Sequence, residues 1–197
     1  NKTFKKTPLL LHGFYQILWI PYGILFPLRK LGDCLYFSDI KELLGGHFIV
    51  GISGGGGFPP KLDRFFNSVG IQIVEGYGMT ETAPMIALRD RFAPVINTIG
   101  TPLPYEETKI LDNEGNVVKP GEKGLLYVRG ENVMKGYYKQ PELTATILDK
   151  DGWLNTGDLG MISYDEELKI VGRAKDTIVL LGGENIEPLY VESGLLA

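Results

Sequence analysis

Gly76-Tyr77-Gly78-Met79-Thr80-Glu81-Thr82, directly after the run Ile71-Gln72-Ile73-Val74-Glu75, is the stretch around which the chain is organised. A β-prone run ending in glycines predicts a strand that enters a turn, with Thr80 placed to cap a following helix. Two glycines let the backbone approach a ligand closely, and Tyr77 between them offers a flat stacking face. A hydroxyl beside a carboxylate, Thr80-Glu81, suits a phosphate and its magnesium ion. The residue types point to a nucleotide site.

Upstream, His47-Phe48-Ile49-Val50-Gly51-Ile52 predicts a buried strand running into Ser53-Gly54-Gly55-Gly56-Gly57-Phe58-Pro59-Pro60. Leu62, Phe65, Phe66 and Val69 recur at helical spacing, and Gly70 supplies the stop, so a helix returns the chain to the strand at residues 71–75. Strands joined in this way lie parallel, and both glycine-rich turns then leave the same carboxyl edge of the sheet, where open α/β folds bind ligands. The glycine run is not a P-loop, because no Gly-Lys-Ser/Thr follows it at the required spacing. Ser38 is placed to cap a short helix ended by Gly45-Gly46. Residues 9–31 are the most apolar part, but Pro21, Gly23 and Pro27 interrupt them. They read as a pair of buried helices and not as a membrane span or signal peptide, although their aromatics and the basic Arg29-Lys30 also suit contact with a membrane surface.

Composition narrows the partners. With 197 residues, 44% of them apolar and 22% charged, the chain can bury a core, and a formal charge of −4 offers no basic excess for a nucleic acid. Cys34 is the single cysteine, so no disulfide forms within the chain, and His12 and His47 cannot build a metal cluster with a cysteine pair. A small-molecule partner and a reducing compartment fit best.

From about residue 97 the pattern changes to short strands and tight turns. Asp112-Asn113-Glu114-Gly115 reads as a hairpin turn between strands at 108–111 and 116–118, and residues 124–130 read as a further strand. Pro141 opens one or two helical turns. Residues 151–160 read as a turn, residues 159–163 and 168–171 as strands around Asp165-Glu166-Glu167, and residues 177–181 as an apolar strand before Gly182-Gly183-Glu184-Asn185-Ile186-Glu187-Pro188.

Taken together, the chain resembles the adenylate-forming, AMP-binding superfamily of acyl-CoA synthetases, luciferases and peptide-synthetase adenylation domains, and within it the bacterial long-chain fatty acid–CoA ligases. The matching segments, in the family's order, are residues 52–56, 75–82, 100–104, 121–124 with Gly130 and 134–138, 152–159, and 172–178 with 182–188. The resemblance implies an α/β plus β fold: the rear portion of the large domain, as a parallel α/β unit followed by a β-rich, barrel-like subdomain, then the first hairpin of a small C-terminal domain. The implied divisions are residues 1–96, 97–171 and 172–197. It also implies a two-step reaction, in which a fatty-acid carboxylate attacks the α-phosphate of MgATP to give acyl-AMP and pyrophosphate, and the thiol of coenzyme A then displaces AMP.

By the same resemblance, Tyr77 stacks on adenine, with the backbone of Gly54, Gly55, Gly56, Gly76 and Gly78 lining the base and the start of the acyl channel. Thr80 bonds phosphate, Glu81 holds magnesium, and Asp158 accepts the ribose hydroxyls, for which the two oxygens of a carboxylate are suited. Arg173 reaches ribose or phosphate, Lys175 is the hinge between the two domains, and Gly182 lets the pantetheine arm pass. Trp153 is expected to pack under the Asp158 turn. Gly57-Phe58 departs from the family pattern, where a small residue and a leucine are expected, which leaves chain-length preference open. The phosphate loop and catalytic lysine of the family do not occur in these residues, so this polypeptide alone is expected to show little ligase activity. An acyl-AMP ligase serving a carrier protein would share nearly every motif, and a non-catalytic nucleotide- or lipid-binding module is a third reading. A cytoplasmic location is implied, with peripheral membrane contact left open.

Overall fold

A computed structural model describes residues 37–179 and 185–195. The apolar segment 9–31, His12, Cys34 and Gly182 lie outside the described residues. The chain divides into two compact units, Asn1–Phe48 and Ile49–Ala197. In the first, α1 (Ser38–Leu43) is the expected short helix, although Ser38 is its first residue and not its cap, since its hydroxyl turns to Asp39. Gly45 and Gly46, at φ 84° and 72°, end it as expected.

The second unit begins with β1 (Gly51–Ser53), α2 (Pro60–Ser68) and β2 (Ile73–Gly78), and β1 and β2 pair in parallel, Gly51 with Ile73 through Ser53 with Glu75. The strand–helix–strand reading holds, with one correction. The first strand is three residues long and Ile52 is 64% exposed, because it has β2 on one side only. Antiparallel β3 (Met85–Leu88) and β4 (Thr101–Pro102) extend the sheet in the order β1-β2-β3-β4.

The β-rich part is a four-stranded antiparallel meander of β5 (Glu106–Leu111), β6 (Lys123–Gly130), β7 (Leu154–Ile162) and β8 (Leu168–Arg173), with α3 (Pro141–Ile147) between β6 and β7. The 112–115 turn forms as read: Asp112 Oδ1 accepts the N–H groups of Glu114 and Asn116 at 3.0 and 2.8 Å. Its second arm is reduced to a single bridge between Leu111 and Val117. Residues 154–160, expected as part of a turn, lie in β7, whose alternating burial puts Leu154, Thr156 and Asp158 inward. Only Gly157 keeps turn-like geometry, at φ 73°.

One core joins the two sheets. Ile86, Ala87 and Ile99 from the first pack with Ile110, Leu126, Val128, Leu154 and Leu168 from the second. Ile99 N–H donates to Leu168 O and Leu168 N–H to Gly100 O, each at 2.8 Å, so the link between β3 and β4 sews the free edge of β8 to the first sheet. Trp153 lies outside this core; its ring faces Lys109 Nζ at 4.0 Å and the Arg129 guanidinium at 4.6 Å instead of supporting the Asp158 turn. A short hairpin, β9 (Ile178–Val179) with β10 (Asn185–Ile186), and α4 (Pro188–Leu195) complete the chain.

Candidate nucleotide site

The opening heptad is divided between a strand and a turn. Gly76, Tyr77 and Gly78 belong to β2 and pair with Leu88, Ala87 and Met85, where a turn was expected. Glycine permits this: a Cβ on Gly78 would stand 1.6 Å from Pro84 O, so only a residue without one lets the returning strand pass so close. The chain turns at Thr80–Thr82, a single 3₁₀ turn whose N-cap residue is Met79 and not Thr80. Buried Thr82 holds it, its hydroxyl donating toward Met79 O and Pro84 O at 3.0 Å and accepting Met79 N–H at 3.2 Å.

Tyr77 leaves β2 toward the second sheet. Its hydroxyl donates to Asp158 Oδ2 at 2.6 Å, and Arg173 Nε donates to Asp158 Oδ1 at 3.1 Å. Asp158 and Arg173 are cross-strand partners on β7 and β8, so the ladder itself places the guanidinium against the carboxylate. Asp158 is 6% exposed, and its N–H is held by the Thr156 hydroxyl at 3.1 Å. Burial, followed by the bond to Asp158, pushes the Tyr77 phenol far above its ordinary value, so it stays protonated and donates. Each oxygen of the carboxylate keeps a further acceptor position. Residues 81 and 96 positions apart in sequence from Tyr77 thus meet at one point.

Thr80 and Glu81 sit on the turn directly after Tyr77 and Gly78, but Glu81 takes its partners elsewhere. Tyr137 donates its hydroxyl to Glu81 Oε1 at 2.6 Å, and Met134 N–H donates to Glu81 O at 2.8 Å. The hydrogen bond to Glu81 raises the Tyr137 phenol as well. A half-exposed carboxylate of this kind fits magnesium, which keeps most of its waters and takes one or two protein carboxylates along with substrate phosphates. Among the described residues no three or more acidic, histidine or cysteine side chains come together as a metal-binding cluster.

Gly54, Gly55 and Gly56 form the exposed loop after β1, and a Cβ on Gly54 would come 3.2 Å from Gly76 O, so the two glycine-rich stretches lie together. Lys175 is exposed in the tight turn after β8. Phe58, the departure noted above, stacks on Phe66 of α2 with centroids 6.3 Å apart.

Sequence reasoning missed the groups that brace the site. Arg89 is 2% exposed and donates to Asp63 Oδ2 at 2.8 Å, to Glu75 Oε2 and to Thr98 O. The other oxygen of Glu75 accepts Phe58 N–H at 2.9 Å, which ties the glycine loop to this charge cluster. Burial raises Glu75 above the usual carboxylate range despite Arg89. Tyr137 lies inside the 134–138 motif, the signal that could have singled it out, whereas Asn132 falls in the gap between Gly130 and Met134 and carries no such signal.

The family model described as "AMP-binding enzyme" matches residues 28–138, more than half of the chain. A long-chain-fatty-acid–acyl-carrier-protein ligase of Arabidopsis thaliana, described as chloroplastic, is 40% identical over 98% of this chain and 28% of its own length. A long-chain-fatty-acid–CoA ligase of Salmonella typhimurium is 40% identical over 72% of this chain and 26% of its own length. Among solved structures, the O-succinylbenzoate coenzyme A synthetase of Bacillus subtilis in complex with ATP and magnesium superposes with a TM-score of 0.69 at 36% identity, covering 76% of this chain and 31% of that one. The chain therefore spans under a third of the length of these relatives. No helix among the described residues is long and apolar enough to cross a membrane. With its matched family model, its relatives and the fold of its neighbours in accord, the chain belongs to the AMP-binding enzyme family.

Proposed function

We propose that the protein carrying this chain activates a long-chain fatty acid with MgATP as an acyl adenylate and then passes the acyl group to coenzyme A. The observation that carries the reading is the Tyr77–Asp158–Arg173 cluster, in which a buried carboxylate is pre-oriented by a phenol and a guanidinium with acceptor capacity left over. In this reading Asp158 takes the ribose hydroxyls and the ring of Tyr77 stacks on adenine. Arg173 neutralises charge near the ribose or phosphate, and Thr80 bonds phosphate. Magnesium on Glu81, when bound, neutralises developing charge on the phosphate oxygens. Holding the mixed anhydride away from water requires walls that Gly54, Gly55, Gly56, Gly76 and Gly78 allow to come close. Residues 1–96 and 97–171 form parts of the large domain, and residues 172–197, with Lys175 as hinge and Gly182 beside the pantetheine path, begin the small one. The location we infer is cytoplasmic, with membrane contact at most peripheral.

A second acceptor is favoured by one observation: the relative named for acyl-carrier protein aligns over 98% of this chain, and the Salmonella CoA ligase over 72%. The test uses the complete gene product containing these residues. ATP–pyrophosphate exchange that depends on a long-chain fatty acid supports the first step, and no exchange with any carboxylate sinks it. Supplying coenzyme A or a phosphopantetheinylated carrier protein to the preformed acyl adenylate decides the acceptor.

A further inference from the structure

Three buried acceptor atoms lack a hydrogen-bond partner among the described residues, and they belong to two neighbouring side chains: Glu106 Oε1 and Oε2, and Asn132 Oδ1. Unpaired buried acceptors are costly, so such a cluster calls for a reason. Both side chains press on the same glycine. A Cβ added to Gly130 would stand 2.6 Å from Glu106 Oε2 and 2.7 Å from Asn132 Oδ1.

The other end of the Asn132 amide is fully engaged. Its Nδ2 donates to Thr82 O at 2.7 Å and to Met85 O at 3.0 Å, the two carbonyls that close the turn carrying Thr80 and Glu81. Because both partners are carbonyls, the nitrogen faces them and the oxygen turns to the Gly130 side, where Glu106 Oε2 also lies. An ionised carboxylate there would set acceptor against acceptor, whereas a neutral carboxyl has the O–H that Asn132 Oδ1 requires. Glu106 is 8% exposed, and burial, opposed in part by the neighbouring Asn132 amide, raises it above the usual carboxylate range.

We propose that Asn132, oriented by Glu106, is a positioning residue: it fixes the Thr80–Thr82 turn so that Thr80 and Glu81 meet the phosphate end of the nucleotide. The proposal rests on the nucleotide reading above for what the turn does, and on the hydrogen bonds for how the turn is held. Met134 N–H on Glu81 O and the Tyr137 hydroxyl on Glu81 Oε1 come from the same segment, so the strand end at Gly130 and the loop after it grip the turn from one side.

The test compares Asn132→Ala, Glu106→Gln and Glu106→Leu with wild type in the complete gene product, with three readouts. Calorimetric AMP binding reports the Tyr77–Asp158 arm, the magnesium dependence of ATP–pyrophosphate exchange reports the turn's function, and amide hydrogen exchange over residues 80–85 reports its order. For Asn132→Ala we expect AMP affinity within about twofold of wild type. Its exchange kcat should fall about 10- to 100-fold with a higher magnesium requirement, and protection in the turn should be lost. Glu106→Gln, which keeps a donor for Asn132, stays close to wild type, while Glu106→Leu reproduces Asn132→Ala. Unchanged kcat and protection in Asn132→Ala would overturn the proposal, as would equal losses in AMP binding and exchange, the mark of a merely structural role. Glu106→Gln as damaging as Glu106→Leu removes Glu106 from it. A wild-type protein that binds no AMP defeats the functional reading, and turn protection then decides the positioning by itself.

Discussion

Asp158 already holds two partners before any ligand arrives, a phenol on one oxygen and a guanidinium on the other. Asp158→Ala should weaken AMP binding by about 2–4 kcal/mol, the scale of a charge-assisted pair of bonds, or roughly 30- to 1000-fold in Kd. Calorimetry on the complete protein measures it, and an unchanged Kd takes Asp158 out of the site. Tyr77→Phe separates ring from hydroxyl: it keeps the stacking face and loses one bond to a buried carboxylate, so stability should fall by about 1.5–3 kcal/mol while adenine recognition is largely retained. Glu106 makes a prediction in pH. Its folded-state affinity for the proton exceeds that of the unfolded chain, so its contribution to stability is complete below its ordinary value of 4.5 and is lost as pH rises through its raised value. Glu106→Gln, neutral throughout, should therefore gain stability over wild type near about pH 7 and show no gain near about pH 4, a difference read from denaturant midpoints at the two pH values.

At the scale of elements, the first sheet is braced by charge as well as by apolar packing. Arg89 on the way out of β3 joins Asp63 of α2 to Glu75 of β2, and its removal leaves two buried carboxylates facing one another. Arg89→Met should cost about 3–5 kcal/mol, seen as a lower unfolding midpoint of the complete protein, and a loss below about 1 kcal/mol would show that the cluster relaxes. This cluster was not legible beforehand, because three charged residues on three elements carry no periodicity. The strand–helix–strand unit was legible, since Leu62, Phe65, Phe66 and Val69 keep helical spacing and Gly70 stops them, although it is Val69 and Asp63 that are buried, while Leu62 and Phe65 face outward. The strand β3 went unread because Met85-Ile86-Ala87-Leu88 is only four residues long and follows a glycine-rich turn, where a short apolar run is ambiguous. Residues 151–160 read as a turn from sequence, yet from Leu154 onward the alternation of Leu154, Thr156 and Asp158 toward the core makes them a strand. The site itself was legible through its motifs, but only the pairing of β7 with β8 shows that Arg173 meets Asp158.

Within the second unit, Glu187 ties the chain beyond Lys175 back to the β-rich sheet. Glu187 is buried and accepts from Lys123 Nζ of β6 at 2.7 Å and from the Thr177 hydroxyl at 2.8 Å. Burial alone would raise this carboxyl, and these two partners outweigh it and hold it below the usual range. Lys175→Pro should spare adenylation more than transfer to the thiol if the backbone turns there, and equal losses in the two half-reactions would exclude Lys175 as the hinge. If the following segment swings about residue 175, as proposed, the motion must part Glu187 from Lys123. Lys123 is 37% exposed, so dissolved ions reach and screen this pair. The balance between the two half-reactions should then shift with ionic strength, added sodium chloride favouring the thioester-forming orientation, and Lys123→Met should abolish that dependence. Under the proposed two-step reaction, this pairing of a buried carboxylate with a partly exposed lysine would let ionic strength set how long the acyl adenylate waits for its acceptor.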